Sequence, residues 1–340
     1  SWSASGRPSP GAPSRTSAVS DDQGEGTAPQ GRVPSPVTSQ GGSRVRVVVT
    51  GSTGLIGSAL VTHLRGRGDE VTRLVRRPAR APDERTWDPA TGELDPAHLH
   101  GADAVVNLAG AGVGDRRWTP AYREKIRASR VLGTNLLART LAELDDGPRV
   151  LVQGSAVGWY ADRGEEILDE AAPRGESFLA EVVADWEGAA RPASSAGVRV
   201  ALARTGIVLD RRGGALARLL PLVRLGLAGP LGAGTQFWPW ISLEDEVRAL
   251  AFLLDIDIEG PVNLTAPEPA RCAELVRALA RAHGRAAVLR VPGWALRAGL
   301  GGFADELLAS QRVVPRVLQS AGFTFSHANL EDAVAALARR

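Results

Sequence analysis

Short apolar runs alternate along the chain with segments of helical periodicity. Residues 45–49 form an apolar run typical of a buried strand, and the amphipathic run 55–65 that follows predicts a helix. Four further strands are predicted at 70–75, 104–108, 150–153 and 198–203, with helical patterns between most of them. This alternation predicts an α/β fold built on a Rossmann-type, doubly wound parallel sheet.

Helical patterns and glycines divide the rest of the chain. Residues 120–144 carry apolar side chains at spacings that suit one or two packed helices, and beyond residue 210 glycines interrupt an apolar region. Helices are predicted at 271–283 and 330–337. We therefore expect a Rossmann domain over 44–210, with 240–265 returning to it, and a smaller C-terminal substrate lobe over 211–239 and 266–340.

The first 43 residues have a different composition. They are crowded with Ser, Gly, Pro and Thr and contain no apolar run that would offset the entropy of ordering them, which predicts a disordered tail. A transit peptide is the alternative, and the acidic residues Asp21, Asp22 and Glu25 count against it.

Charge and cysteine usage exclude several classes of protein. The chain has 40 basic and 38 acidic residues without long blocks of one sign, so we expect no nucleic-acid partner. Cys272 is the only cysteine, and the five histidines are scattered without metal-ligand spacing, so we expect no disulfide and no metal. Because no run of about 18 apolar residues and no apolar signal core occur, we expect a cytoplasmic protein without a membrane partner.

Glycines punctuate the turn between the first predicted strand and helix. Their spacing allows a tight turn and a close approach of the backbone to a diphosphate, and the helix start offers N–H groups and a favourable dipole. We expect this turn to bind a dinucleotide cofactor, with a merely structural turn as the alternative. The predicted cofactor-binding residues here are Thr50, Gly51, Thr53, Gly54, Leu55, Ile56 and Gly57.

The second predicted strand ends in two arginines. A site for NAD would place Asp or Glu there to bind the ribose hydroxyls, whereas Arg76 and Arg77 suit a 2′-phosphate. We therefore expect NADP(H) rather than NAD. The alternative is that both arginines belong to a solvated strand end.

Two later strands end at the same carboxyl edge of the predicted sheet, where open α/β sheets bind ligands. Ser155 follows one of them, and its hydroxyl either bonds a substrate carbonyl or hydroxyl or only caps the turn. The other strand end is expected to flank the adenosine or the nicotinamide ribose, or else to be an ordinary strand end; it comprises Asn107, Leu108, Ala109 and Gly110.

These segments together resemble the extended short-chain dehydrogenase/reductase superfamily, whose first strand carries a TGxxGxxG loop and whose later strands end in Asn-x-Ala-(Ala/Gly) and a serine. Further segments are similar to one atypical, epimerase-like subfamily, the sugar-nucleotide epimerase family proteins: 117–119, Ser129-Arg130, 155–160, 178–180, 185–187, 204–209, 213–216 and 266–269. The resemblance spans about residues 45–338 and implies the same fold. It also implies cofactor contacts for Arg130 and Arg204.

The wider relatives transfer hydride with a Tyr-x-x-x-Lys pair, in which the lysine and the nicotinamide ribose lower the tyrosine pKa. That pair is absent here, because Lys125 is the only lysine and Ala121 stands four residues before it. Tyr122 stands three residues before Lys125, which is the wrong spacing. Ser155 and Tyr160 are our predicted catalytic residues, and Glu181 is a further acid/base candidate.

Aromatic and basic residues near the later strand ends suggest a substrate site. Arg117 and Trp118 suit a planar or anionic substrate group, with a surface loop held by one tryptophan as the alternative. Trp240 either walls the substrate pocket or packs in the core.

The resemblance implies an NADP(H)-dependent oxidoreductase or epimerase acting on a small polar molecule such as a nucleotide sugar. Extended relatives often pair through two helices from each subunit, which allows a homodimer. The alternatives are an NADP(H)-sensing regulatory or scaffold protein without turnover, and a protein that docks a helix through apolar residues at 216–231.

Overall fold

The computed structural model describes residues 44–339, except for the side chains of Ala215, Arg218 and Arg339, so the predicted tail over 1–43 lies outside the described residues. The strands of the described chain are β1 (Arg46–Thr50), β2 (Glu70–Val75), β3 (Glu84–Thr86), β4 (Ala104–Asn107), β5 (Val150–Ala156), β6 (Ile167–Leu168), β7 (Arg199–Thr205), β8 (Ile207–Leu209), β9 (Phe237–Trp238), β10 (Trp240–Ser242), β11 (Gly260–Leu264), β12 (Ala270–Arg271) and β13 (Arg312–Val313).

The helices follow the predicted pattern, and residues 120–144 form one long helix rather than two. In chain order the helices are α1 (Leu55–Gly66), α2 (Pro120–Glu143), α3 (Phe178–Gly188), α4 (Arg191–Ser195), α5 (Gly214–Arg224), α6 (Leu243–Asp255), α7 (Cys272–Ala282), α8 (Gly293–Leu300), α9 (Phe303–Leu308), α10 (Arg316–Ser320) and α11 (Leu330–Arg339). Across residues 44–339, no helix combines the length and the apolar character needed to cross a bilayer.

Seven parallel strands form the central sheet in the order β3-β2-β1-β4-β5-β7-β11. The strand β1 lies near its middle, where Val48 is opposite Thr72 of β2 and Val105 of β4. This confirms the predicted α/β fold with a Rossmann-type parallel sheet. The segment 240–265 contains β11, which lies at the sheet edge beside β7.

Alternate residues of β1 serve two apolar layers, because successive side chains of a strand point to opposite faces. Val47 and Val49 pack with Leu64 of α1 on one face. Val48 packs with Leu137 of α2 on the other. Each such fully buried side chain contributes about 1.5–3 kcal/mol through removal from water. The two layers hold the carboxyl ends of the strands in a fixed row.

A third apolar cluster lies beyond the sheet and joins α5, α7 and α11. The helix α7 contributes Leu275, Val276 and Leu279, and two short sheets, β8-β10 and β9-β12, border the cluster. This cluster contains residues from both 211–239 and 266–340, the two segments that were predicted to form the C-terminal lobe.

Candidate functional site

The turn between β1 and α1 leaves no room for side chains at two of its glycines. A Cβ on Gly51 would lie 2.6 Å from the carbonyl of Leu108, and a Cβ on Gly57 would lie 2.3 Å from the Gly51 oxygen. Gly51 also has a φ of +66°, which favours glycine. Thr53 and Gly54 are exposed at the opening of α1, whose first turn contains no acidic residue. The unpaired N–H groups of that turn therefore meet no competing carboxylate and suit an anion.

Thr50 and Asn107 fasten neighbouring strand ends behind this turn. The Thr50 hydroxyl donates to Asn107 Oδ1 at 2.5 Å and accepts the backbone N–H groups of the next two residues after Asn107. Asn107 Nδ2 in turn donates to Thr134 and Gln153 at 3.0 and 2.9 Å. Both side chains are buried and fully engaged. These two side chains therefore position the backbone of Leu108 and Ala109 beside the turn.

The two arginines after β2 have different surroundings. Arg77 makes a double hydrogen bond to the buried Glu84 at 2.7 and 2.8 Å, and this bond is the main cause that lowers the pKa of the Glu84 carboxyl to about 2. Arg76 is exposed and forms no ion pair with any described residue. The structure thus separates the pair: Arg77 is engaged in the fold, and Arg76 is the side chain available to a ligand.

Arg130 of α2 is a half-buried cation without an acidic partner in the part of the chain that the structure describes. Its Nη1 donates to the carbonyls of Ala111 and Ile126 at 3.0 and 3.1 Å, and its guanidinium lies 5.0 Å from the Trp186 ring centre. Burial lowers the pKa of Arg130 to about 10, so the group stays charged at neutral pH. Its guanidinium lies beside Gly110, where a Cβ would come within 3.3 Å of it. A half-buried charge without an acidic partner among the described residues is suited to binding an anion.

Beyond Ser155 a buried polar network joins β5, α3, β7 and β11. The Ser155 hydroxyl donates to Glu187 Oε1 at 2.6 Å, and Arg204 donates to both Glu187 oxygens at 2.8 and 3.0 Å. Arg204 Nη1 also donates to the Tyr160 hydroxyl at 3.1 Å, which in turn donates to Asn263 Oδ1 at 2.7 Å. These contacts bring Ser155, Tyr160 and Arg204 together. The sequence analysis predicted the first two as catalytic residues and expected Arg204 to contact the cofactor.

The network limits what Tyr160 and Arg204 are able to do. Tyr160 is fully buried, burial raises the pKa of its hydroxyl, and both sides of that hydroxyl are occupied. Arg204 is 3% exposed and is enclosed by Glu187 and by the Trp159 ring, 4.1 Å from the guanidinium carbon. Neither side chain has a free polar face for a substrate or cofactor. Ser155 and Glu187, at 5% and 9%, keep a small exposed area.

The predicted substrate residues fall in two places: Arg117 and Trp118 are neighbours in the loop after β4, and Trp240 belongs to the C-terminal cluster. Arg117 Nη1 donates to the Ala298 carbonyl at 3.3 Å, and Trp118 packs edge-on against Phe178, so both tie the loop after β4 to neighbouring elements. Trp118 also borders an open cavity of about 680 Å³. Trp240 is 1% exposed and donates to the Glu268 carbonyl, which places it in the core of the C-terminal cluster rather than at a pocket wall.

The wrongly spaced Tyr122 and Lys125 and the acid/base candidate Glu181 take no part in the hydrogen bonds of Ser155 among the described residues. Tyr122 donates to the Gly112 carbonyl at 2.6 Å, and Lys125 is exposed on α2, so the two form no pair. Glu181 forms an exposed ion pair with Arg127. Across residues 44–339, no group of three His, Cys, Asp or Glu side chains is arranged to hold a metal ion.

Two residues of the site were missed from the sequence. Glu187, the partner of Ser155 and Arg204, lies in the Asp185-Trp186-Glu187 segment, whose resemblance was noted without a role for it. Ser52 lies in the glycine turn with a buried hydroxyl that has no hydrogen-bond partner among the described residues. A buried arginine such as Arg204 needs a carboxylate partner. This requirement is the one feature of the sequence from which Glu187 could have been predicted.

Glu246 is a buried carboxyl at the carboxyl ends of β7 and β11. Thr205 donates to Glu246 Oε1 at 2.7 Å. Glu246 Oε2 and the hydroxyl of Thr265, the residue that follows β11, have no hydrogen-bond partner among the described residues. Burial raises the pKa of Glu246 to about 8, well above its ordinary value of 4.5. Burial therefore favours the protonated form of this carboxyl in the folded protein.

We expect Glu246→Gln to remove a pH dependence of stability. A raised folded-state pKa stabilises the fold fully below pH 4.5 and loses that contribution as the pH rises toward 8. The stability of the variant relative to the wild type should therefore rise between pH 5 and pH 8, by on the order of 3 kcal/mol. Urea unfolding of both proteins at the two pH values measures this. The exposed Glu143→Gln is the control, and a Glu246→Gln difference equal to that of the control contradicts the prediction.

Comparison with known proteins identifies the family. Residues 47–264 match the model of the NAD dependent epimerase/dehydratase family. The chain belongs to the NAD dependent epimerase/dehydratase family. This confirms the family resemblance predicted from the sequence, and the NAD dependence in the family's description agrees with the dinucleotide predicted from the glycine turn. Residues 291–337 also match a domain of unknown function, DUF1731.

Similar proteins from this family occur in distant organisms. The chain is 46% identical over 290 residues to epimerase family protein MT2273 of Mycobacterium tuberculosis, covering 85% of this chain and 96% of that one. The crystal structure of human epimerase family protein SDR39U1 (isoform 2) with NADPH superposes with a TM-score of 0.80 at 35% identity. The match covers 87% of this chain and 99% of the human chain. A nucleoside-diphosphate sugar epimerase from Corynebacterium glutamicum gives a TM-score of 0.73 at 37% identity, covering 87% of this chain and 59% of that one.

Proposed function

We propose that this protein binds NADP(H) at the carboxyl edge of its central sheet and acts as an oxidoreductase or epimerase on a small polar substrate. The observation that carries the proposal is the turn of residues 50–57, in which two glycines have no room for a Cβ and the first turn of α1 contains no acidic residue. Backbone N–H groups at such a helix start are suited to a diphosphate.

The residues around the turn fit a phosphorylated dinucleotide. Arg76, exposed after β2, is placed to pair with a 2′-phosphate, and Arg130, which has no carboxylate partner among the described residues, lies beside Gly110, near the end of β4. The NADPH in the crystal structure of the human relative supports the same cofactor here. The cofactor supplies hydride chemistry, and the chain supplies the diphosphate-binding turn, the two cations and the hydroxyl of Ser155.

We expect Arg76→Gln to weaken binding of NADPH by about 10- to 100-fold and to leave NADH binding unchanged, since a hydrogen bond to a charged group contributes about 1.5–3 kcal/mol. Calorimetric titration with both cofactors measures the two affinities. Arg77→Gln is the matched variant, because its guanidinium is engaged with Glu84. An equal loss of NADPH affinity in both variants, or a loss of NADH affinity in Arg76→Gln, speaks against a 2′-phosphate site at Arg76.

Turnover is the test of the enzymatic part of the proposal. The pure protein is incubated with NADPH and carbonyl compounds, and with NADP⁺ and nucleotide sugars or secondary alcohols, while the nicotinamide absorbance and the sugar products are followed. We expect turnover with at least one compound of these panels. NADPH binding without any turnover overturns the enzymatic function.

A second candidate function is an NADP(H) sensor or scaffold without turnover. One observation favours it: Tyr160 is fully buried and Lys125 is exposed on α2, so the usual proton-transferring pair of the superfamily is absent from this site. The same titration and turnover measurements separate the sensor, which binds and does not react, from the enzyme.

A further inference from the structure

Hydride chemistry on an alcohol or a carbonyl needs a group that exchanges a proton with the substrate oxygen. The hydroxyl of Tyr160 is unsuited to this, since it is enclosed and engaged on both sides. Ser155 and Glu187 form a hydrogen-bonded hydroxyl and carboxylate pair at the carboxyl end of β5, and they keep some exposure, at 5% and 9%. Because they are more accessible than Tyr160, these two side chains are better placed to exchange a proton with a substrate.

The hydrogen bond between Ser155 and Glu187 fixes where the serine proton lies. An ionised carboxylate only accepts hydrogen bonds, so in the 2.6 Å bond the Ser155 hydroxyl is the donor and Glu187 Oε1 is the acceptor. What remains on Ser155 Oγ is its lone pairs. While Glu187 is ionised, a lone pair of Ser155 Oγ accepts a proton from an O–H group, so the substrate group that fits this state is a hydroxyl.

Arg204 holds the carboxylate in this orientation. Its Nε and Nη2 bond the two oxygens of Glu187, and Trp159 covers the guanidinium face. Burial by itself lowers the pKa of Arg204, and the hydrogen bonds to Glu187 outweigh it, so the net pKa is raised and the cation persists. Because both oxygens are held, Glu187 keeps Oε1 directed at Ser155.

We propose that Glu187 is the proton acceptor of this site and that Ser155 passes to it the proton of a substrate hydroxyl, so that the substrate class is a secondary alcohol. The inference rests on the NADP(H)-dependent function proposed above. In the oxidative direction the substrate O–H proton moves to Ser155 Oγ as the Ser155 proton moves to Glu187 Oε1. The C–H hydrogen leaves with its electron pair to the oxidised nicotinamide, and the C=O bond forms. In reduction every transfer reverses, and in an epimerisation Glu187 returns the same proton.

In this arrangement Arg204 is a positioning residue, since it acts on the substrate only through Glu187. It replaces the lysine of the wider superfamily in one respect, as a cation next to the proton-transferring group. It differs in another, because it orients a carboxylate and not a phenol.

The test uses the alcohol and nucleotide-sugar panel with NADP⁺ and three variants of the full chain: Glu187→Gln, Ser155→Ala and Ser155→Thr. For a compound that turns over, we expect Glu187→Gln and Ser155→Ala to lower kcat by about 100-fold or more, with NADPH affinity unchanged within about threefold. Ser155→Thr, which keeps a hydroxyl, should recover part of the rate. Glu187→Gln should also lose the acid limb of the pH–rate profile, which a purely structural role does not remove. Glu143→Gln, an exposed change of the same kind, is the control.

A second measurement needs no substrate. The infrared difference spectrum between the wild type and Glu187→Gln isolates the carboxylate bands of Glu187, and Ser155→Ala should shift these bands because it removes the 2.6 Å hydrogen bond. Ser155→Ala leaves the ion pair with Arg204 intact, so the difference spectrum between the wild type and Ser155→Ala shows the shift of the carboxylate bands even where Glu187→Gln folds poorly.

The outcomes separate the two proposals. Bands that Ser155→Ala leaves unshifted, or turnover that Ser155→Ala and Glu187→Gln retain, overturn the relay while the NADP(H)-dependent function stands. The absence of turnover in the wild type overturns the enzymatic function and the relay with it. Loss of rate in both variants, together with the infrared shift and the lost acid limb, supports the relay.

Discussion

Replacement of Gly57 by alanine is expected to abolish most NADPH binding and to destabilise the fold. The added Cβ would lie 2.3 Å from the Gly51 oxygen, so the turn and the start of α1 must move apart. Overpacking of this kind costs about 1–3 kcal/mol. Misplacing two N–H groups that bind a diphosphate costs about 1.5 kcal/mol each, so the affinity should fall by about 100-fold. Urea unfolding and calorimetric titration with NADPH measure the two effects.

Gly66→Ala is the matched control for this change. Gly66 is the last residue of the same helix, and a Cβ there meets nothing within 4 Å. Alanine is the better helix former, so this variant should be as stable as the wild type or up to about 0.5 kcal/mol more stable, with unchanged NADPH affinity. Full NADPH affinity in Gly57→Ala would show that the cofactor does not approach this turn.

Arg204→Met should lower the free energy of unfolding by about 3–5 kcal/mol. This is the largest effect on stability that we expect from any of the substitutions proposed here. The substitution keeps much of the side-chain volume but leaves the Glu187 carboxylate, 9% exposed, without its cation. Removing one partner of a buried ion pair strands the other charge in a medium that solvates it poorly. Equilibrium unfolding in urea gives the value.

Arg297→Met provides the comparison, because Arg297 and Asp305 form an ion pair with both side chains mostly exposed, at 60% and 64%. Exposed pairs of this kind contribute about 1 kcal/mol or less. We therefore expect a small change in this variant. Equal losses in the two variants would mean that the contact between Arg204 and Glu187 is no stronger than a surface pair.

The regular elements of the fold were open to prediction because each carries its own local pattern. The apolar run of β1, the glycine turn and the amphipathic α1 follow one another within residues 45–66, and alternation of such units predicts a parallel sheet. The boundaries of the predicted elements differ by up to three residues, for example at β4, which ends at Asn107, and at β5, which runs on to Ala156. Family membership followed from the motifs at the same strand ends.

The site was predictable only in part, since side-chain partners come from remote parts of the chain. Arg76 and Arg77 are equivalent in sequence, and only the folded chain places Glu84, from the next strand, against one of them. Tyr160 and Trp240 are polar-tipped aromatic residues near strand ends, and whether each faces a cleft or the core depends on which elements cover it. Glu187 lies 32 residues after Ser155, and no periodicity in the sequence joins them.

The exposed Lys125 on α2 has a practical consequence for single-molecule work. It carries the chain's one lysine amine, and the lone thiol, on Cys272, is buried, with a pKa that burial raises to about 11. Apart from the α-amino group of the chain, amine-reactive dyes or surface linkers should therefore attach to this one side chain, on the helix surface and remote in sequence from the glycine turn. A fluorophore placed there labels α2 and leaves residues 50–57 of the glycine turn chemically unmodified.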